Sequence, residues 1–313
     1  MYEIESLNRK GERIVFLNKN KRMLIKEECH INLYEITEQK KYKLLDKIAY
    51  SDGIIDFTML SNEMIITSGR HTIIIYKKDK NTSYKLHQKI FNCNWAEIYR
   101  IKELENKNFA ACGWAGFFIF KMNDYSQYNI ILEINYTRIY DFMEIKGKEN
   151  NFILYSVDKA LFINGKDIIN TINLENNIFK NFSNSRYICQ LNESLFVLSG
   201  LRYITLFNSD TNQIKKINFL KDDDFDKRRE KYFLNHCPNI FRYNSSSIIL
   251  ITLEGIFIIK VINEEKIQVQ LRIFHKLIYG FDFEFNEEEN SIIYYDKNTF
   301  WNKLKIKNKY IAK

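Results

Sequence analysis

Residues 53–91 read GIIDFTMLSNEMIITSGRHTIIIYKKDKNTSYKLHQKIF. Four short runs rich in Ile, Thr, Tyr and Phe lie here between small polar turns. Branched and aromatic side chains at that density suit a pleated, half-buried surface, so each run is predicted to be a strand. The unit recurs. EIYRIKEL (97–104), NFAACG (108–113), GFFIFK (116–121) and QYNIILEI (127–134) form one further copy. RYICQL (186–191), LFVLSG (195–200), YITLFN (203–208) and QIKKINF (213–219) form another.

The last residue of each copy's second strand marks the period. The markers are Glu27, Gly69, Gly113, Ser156, Gly200, Thr252 and Asp296. All but one of the steps between them fall at about 42–44 residues, a blade-sized repeat. The expected fold is therefore all-β: a single seven-bladed β-propeller of four-stranded antiparallel blades spanning residues 1–313. The longer step carries KDDDFDKRREKYFLNH (221–236), a charged insertion between the fifth and sixth blades. Its carboxylates do not follow a calcium-loop pattern, because the sixth and twelfth positions counted from Asp222 hold Lys227 and Phe233 instead of Gly and Glu.

In period and pattern the chain resembles the WD40-like β-propeller family over nearly its whole length. Large residues stand at aligned third-strand positions, Tyr34, Tyr76, Phe120, Phe207 and Ile259, where that family carries its Trp-Asp pair. The family's Gly-His and Trp-Asp are missing. The turns between second and third strands read Glu28-Cys29, Arg70-His71, Trp114-Ala115, Leu201-Arg202, Leu253-Glu254 and Lys297-Asn298, and only Asp158 stands near the family's turn aspartate. The blades are thus expected to rely more on apolar packing than on the family's buried polar network. The fourth strand of the seventh blade is either Lys309 to Ala312 or the N-terminal Tyr2 to Leu7; the resemblance implies that the N-terminal segment latches the blade, and the alternation there would cover an open edge.

Composition narrows the function classes. Hydrophobic residues make up 45% and charged residues 27%, which fits a globular chain. The net charge is +8, but Lys is interspersed with Glu, and only the tail (Lys303, Lys305, Lys307, Lys309, Lys313) is an uncompensated run. That is a solvated surface and not the one-faced basic footprint of a nucleic-acid binder. No apolar run approaches a membrane span, and the acidic start is not a signal peptide. Five scattered cysteines fit reduced thiols and an intracellular, cytoplasmic setting.

No chemistry-bearing motif is present. The chain lacks phosphate-binding glycine loops and a G-x-S-x-G elbow. His30, His71, His87 and His275 stand alone, and His236-Cys237 has no second pair, so neither metal nor cofactor is expected. The expected function is a non-catalytic protein–protein interaction scaffold, a subunit or adaptor of a larger assembly. The alternative is a channel site, enzymatic or cation-binding, built on Asp56, Asp141 and Asp282 of the first strands. Candidate protein-binding residues come from the loops after second strands and between blades: Arg70, His71, Trp95, Trp114, Arg138, Arg202 and His275. Trp and Arg dominate binding hot spots, and a tryptophan in a turn is expected at the surface.

Overall fold

The computed structural model describes residues 2–10, 13–17, 22–27, 30–37, 42–50, 53–80, 83–145, 147–148, 150–174, 187–199, 203–219, 239–252, 255–273, 283–286, 291–295 and 300–306. Among them every regular element is a strand, and no helix is long and apolar enough to cross a membrane. The strands form seven antiparallel sheets of four. Six sheets take their strands in chain order: blade 1 (13–49), blade 2 (56–91), blade 3 (98–135), blade 4 (139–173), blade 5 (188–218) and blade 6 (239–273).

Blade 7 joins the two ends of the chain. Three of its strands lie within 283–306, and the fourth is Tyr2–Lys10, which pairs antiparallel with Phe300–Ile306 in the register Tyr2↔Ile306. The latch expected from the alternating N-terminal segment is the one that forms. It hides the outer edge of Phe300–Ile306, which would otherwise be a template for another chain.

The middle strands of blades 2 to 6 are the driest. Ile65–Ser68, Phe109–Gly113 and Ser247–Thr252 are buried along their length, whereas outer strands such as Tyr84–Phe91 are mostly exposed or half-buried. The aligned third-strand residues Tyr34, Tyr76, Phe120, Phe207 and Ile259 are all buried. Four of them also mark a defect that the sequence pattern did not announce. At Leu33/Tyr34, Ile75/Tyr76, Ile119/Phe120 and Ile258/Ile259 the register with the outer strand shifts, and blade 4 does the same at Phe162/Ile163. The outer strand carries one extra residue there (Leu45, His87, Ile131, Gln270 and Ile169). A bulge of this kind adds twist, as an outer strand needs when it splays from its neighbours.

Apolar clusters span the junctions of blades 1 and 2, 2 and 3, and 5 and 6, as expected, and polar side chains tie successive blades together beside them. Asp56 opens the inner strand of blade 2 and is completely buried. One carboxylate oxygen accepts the N–H of Phe57 at 2.8 Å, and the other reaches blade 3 to accept the N–H of Ile101 at 2.6 Å. Ser68 donates to the Ile98 carbonyl at 3.0 Å across the same junction. Asp141 repeats the device between blades 4 and 5, accepting from Phe142 at 2.9 Å and from Tyr187 at 3.0 Å. Nearer the rim, Asp46 accepts from the Tyr84 N–H at 2.7 Å, and the Gln88 amide both donates to and accepts from the Tyr128 backbone. The network absent at the family's usual positions is rebuilt from other residues. The 221–236 insertion lies outside the described residues.

Candidate functional site

In an up-and-down blade, the turn between second and third strands and the connector to the next blade emerge at the same end. The structure joins these two kinds of loop directly in blades 2 and 3. The turn Arg70-His71 is closed by the Gly69 N–H donating to the Thr72 carbonyl at 3.0 Å, and the His71 carbonyl accepts from Asn92 at the start of the connector, also at 3.0 Å. The connector's Glu97 carbonyl accepts the Trp114 N–H at 2.8 Å, and the Trp114 carbonyl accepts the Arg138 N–H at 2.9 Å. Gly113 makes the approach possible, because a Cβ there would stand 2.0 Å from the Glu97 oxygen.

Arg70, His71, Trp114 and Arg138 therefore lie along one continuous run of loops. Trp114 is 40% exposed, and the Arg138 guanidinium lies over its ring, 4.0 Å from the centroid. Such a cation–π pair orients the guanidinium. Arg70 reaches Glu97 at 3.6 Å, a loose and exposed ion pair of small energetic weight. His71 and Arg138 both hold the left-handed backbone conformation (φ 61° and 59°), which is uncommon outside glycine. Around Arg70 and His71 opens a concavity of about 710 Å³, lined also by Gly53 to Ile55, Thr72, Lys89, Phe91 and Glu97. Phe91 ends the outer strand of blade 2 and is 65% exposed. Sequence reasoning missed it because it closes a regular strand, and pattern alone does not tell which strand ends are exposed.

Trp95 is corrected. It is 1% exposed, not a surface tryptophan. The connector tightens at Asn92, whose carbonyl accepts the Trp95 N–H at 3.0 Å and whose side chain accepts from Asn94. That turn drives the indole inward, 5.1 Å from Phe118 and 6.0 Å from Phe120, among Ile73, Ile75 and Ile98. The indole N–H meets no hydrogen-bond partner among the described residues. Arg202 and His275 lie outside the described residues.

The channel alternative changes as well. Asp56 and Asp141 do not line a wet channel: both are fully buried, with their oxygens engaged by main-chain N–H groups of successive blades. Asp282 lies outside the described residues. Among those described, no three His, Cys, Asp or Glu side chains gather where they could hold a metal ion. A second concavity, about 520 Å³, opens at the turns of blades 5 and 6 around Asn192, Gln213, Asn263, Glu264 and Glu265, with neither tryptophan nor arginine in it.

No family model and no curated protein matches the chain. Solved structures do. The chain is similar to a streptogramin B lyase at 14% identity, over 98% of each chain, with a TM-score of 0.65. It is similar to the β-propeller domain of Cps50 (Swd1) from Myceliophteria thermophila at 9% identity, over 97% of this chain and 99% of that one, with a TM-score of 0.67. The WD40 domain of Pan2 from Neurospora crassa matches at 9% identity, over 98% of this chain and 96% of that one, with a TM-score of 0.65. At such identities the likeness is one of fold, and with seven four-stranded antiparallel sheets the fold is a seven-bladed β-propeller.

Proposed function

We propose that the chain is a non-catalytic, intracellular interaction module that engages a protein partner through the loop face of blades 2 and 3. A fold shared by a lyase and by two WD40 domains does not choose between catalysis and binding; the side chains must. The observation that carries the reading is Trp114, 40% exposed beneath the Arg138 guanidinium, next to a concavity whose rim bears the exposed ring of Phe91. Tryptophan and arginine are enriched among the residues that carry most of the energy of a protein interface. The two inner-strand aspartates that favoured a channel site are engaged in joining blades. Cys93, Cys112 and Cys189 form no disulfide, which agrees with an intracellular setting.

The test is affinity purification from the protein's own cells, comparing the unaltered chain with a Phe91→Ala, Trp114→Ala double variant that keeps its melting temperature. The partner recovered with the unaltered chain is lost from the variant. A variant that folds and recovers the same partner in full places the interface elsewhere.

A further inference from the structure

The same face also indicates which chemical group a partner presents to it. Arg138 is oriented from two sides: its N–H is bonded to the Trp114 carbonyl, and its guanidinium is laid on the Trp114 ring. Its Nε is buried and meets no hydrogen-bond acceptor among the described residues. A buried donor without an acceptor is costly, and a planar guanidinium matches the two oxygens of a carboxylate. His71 repeats the situation on the next loop, where its buried Nδ1 also has no partner among the described residues. The local charge points the same way. Among the described residues, Arg70, Lys89 and Arg138 bring cations to this stretch, and Glu97 brings a carboxylate.

The geometry points to an acidic side chain of a partner protein, Asp or Glu, as the group received by Arg138, with an apolar neighbour of that acid seated over Phe91 and the adjoining concavity. This rests on the proposed reading of the face as a protein-binding surface. A nucleic-acid backbone fits less well. It would ask for a track of cations, and Glu97 stands in the middle of this one. A lone carboxylate beside an apolar side chain uses the arginine fork, the indole and the concavity together.

The probe is a displayed library of random short peptides selected on the full-length chain. Selected peptides are expected to share Asp or Glu beside Leu, Ile or an aromatic residue. Changing that acid to its amide is expected to weaken binding roughly tenfold, a loss typical of one charged hydrogen-bonded contact. Arg138→Gln should cost the acidic peptide a similar factor and leave the amide peptide unchanged, which is coupling in a double-mutant cycle. Arg138→Lys should restore only part of the loss, because an ammonium lacks the fork.

Three results overturn the inference. If the acid and Arg138 losses simply add, or the selected peptides carry no acid yet lose binding in Trp114→Ala, the face binds protein but Arg138 does not receive a carboxylate. If no peptide is selected, or the selected ones bind Trp114→Ala and Phe91→Ala as tightly as the unaltered chain, the proposed function fails and takes the inference with it. If a short RNA displaces the peptides at physiological salt, the cations serve phosphate instead.

Discussion

Replacing Asp56 by Ala tests the polar stitching between blades. The side chain is completely buried, and its two oxygens accept the N–H groups of Phe57 at 2.8 Å and Ile101 at 2.6 Å. Alanine leaves both donors buried without these acceptors. Each orphaned donor costs about 1–3 kcal/mol, so the pair is worth about 4 kcal/mol. In a chain of this length 1 kcal/mol moves the melting temperature by about 2 °C, giving an expected fall of about 8 °C. Asp56→Asn keeps one accepting oxygen and turns a donor toward the other N–H, so it is expected to lose at least half as much. Asp141→Ala, with the same arrangement at Phe142 and Tyr187, should behave like Asp56→Ala, while Asp167→Ala on an exposed outer strand should change almost nothing. The assay is thermal unfolding followed by circular dichroism in the β region. An aspartate crowded with others in a wet channel predicts the opposite sign, because removing it would relieve repulsion. A melting temperature for Asp56→Ala that is unchanged or raised refutes the reasoning.

The two tryptophans should separate cleanly. Trp95→Ala empties a packed site between Phe118 and Phe120 and should cost about 3–5 kcal/mol in urea unfolding, whereas Trp114→Ala should cost under about 1 kcal/mol. Burial, with Glu63 adding to it, pushes the Tyr84 hydroxyl up to about 12. Unfolded tyrosine ionises near pH ~10, so stability present below that pH is lost as pH rises toward the folded value, and Tyr84→Phe should flatten that part of the alkaline unfolding curve. Deleting residues 1–10 uncovers the edge of Phe300–Ile306 and should give a lower melting temperature and aggregation on size exclusion; a monomer of unchanged stability would show that the latch is dispensable.

The repeat was legible because second strands are buried on both faces. Continuous apolar runs such as MIITSG, FAACG and SIILIT recur once per blade and fall where the strands Ile65–Ser68, Phe109–Gly113 and Ser247–Thr252 form. The large third-strand residues were legible for the same reason. Asp56 and Asp141 were not, since an inner-strand aspartate reads alike whether it faces water or a neighbouring blade. The group that decides is the N–H of a residue 45 or 46 positions further along the chain. Trp95 was misplaced because its direction is set by backbone bonding at Asn92, which leaves no trace in hydrophobic pattern. Turns after second strands and connectors before first strands share an end, so Arg70, His71, Trp95, Trp114, Arg138, Arg202 and His275 were all expected there; Trp95 is buried, Arg202 and His275 lie outside the described residues, and Arg70, His71, Trp114 and Arg138 fall along one run of loops. Their joining through Glu97 depends on Gly113, whose missing side chain is the one sequence signal for that close approach.

The most direct test of the central claim is amide hydrogen exchange of the chain, free and with its co-purified partner. A binding propeller that uses the loop face of blades 2 and 3 gains protection at residues 69–72, 91–97, 114–115 and 135–138, and the turns around Asn192 and Glu264 exchange as before. Protection confined to those turns of blades 5 and 6, with the Trp114 and Arg138 loops unchanged, contradicts the account.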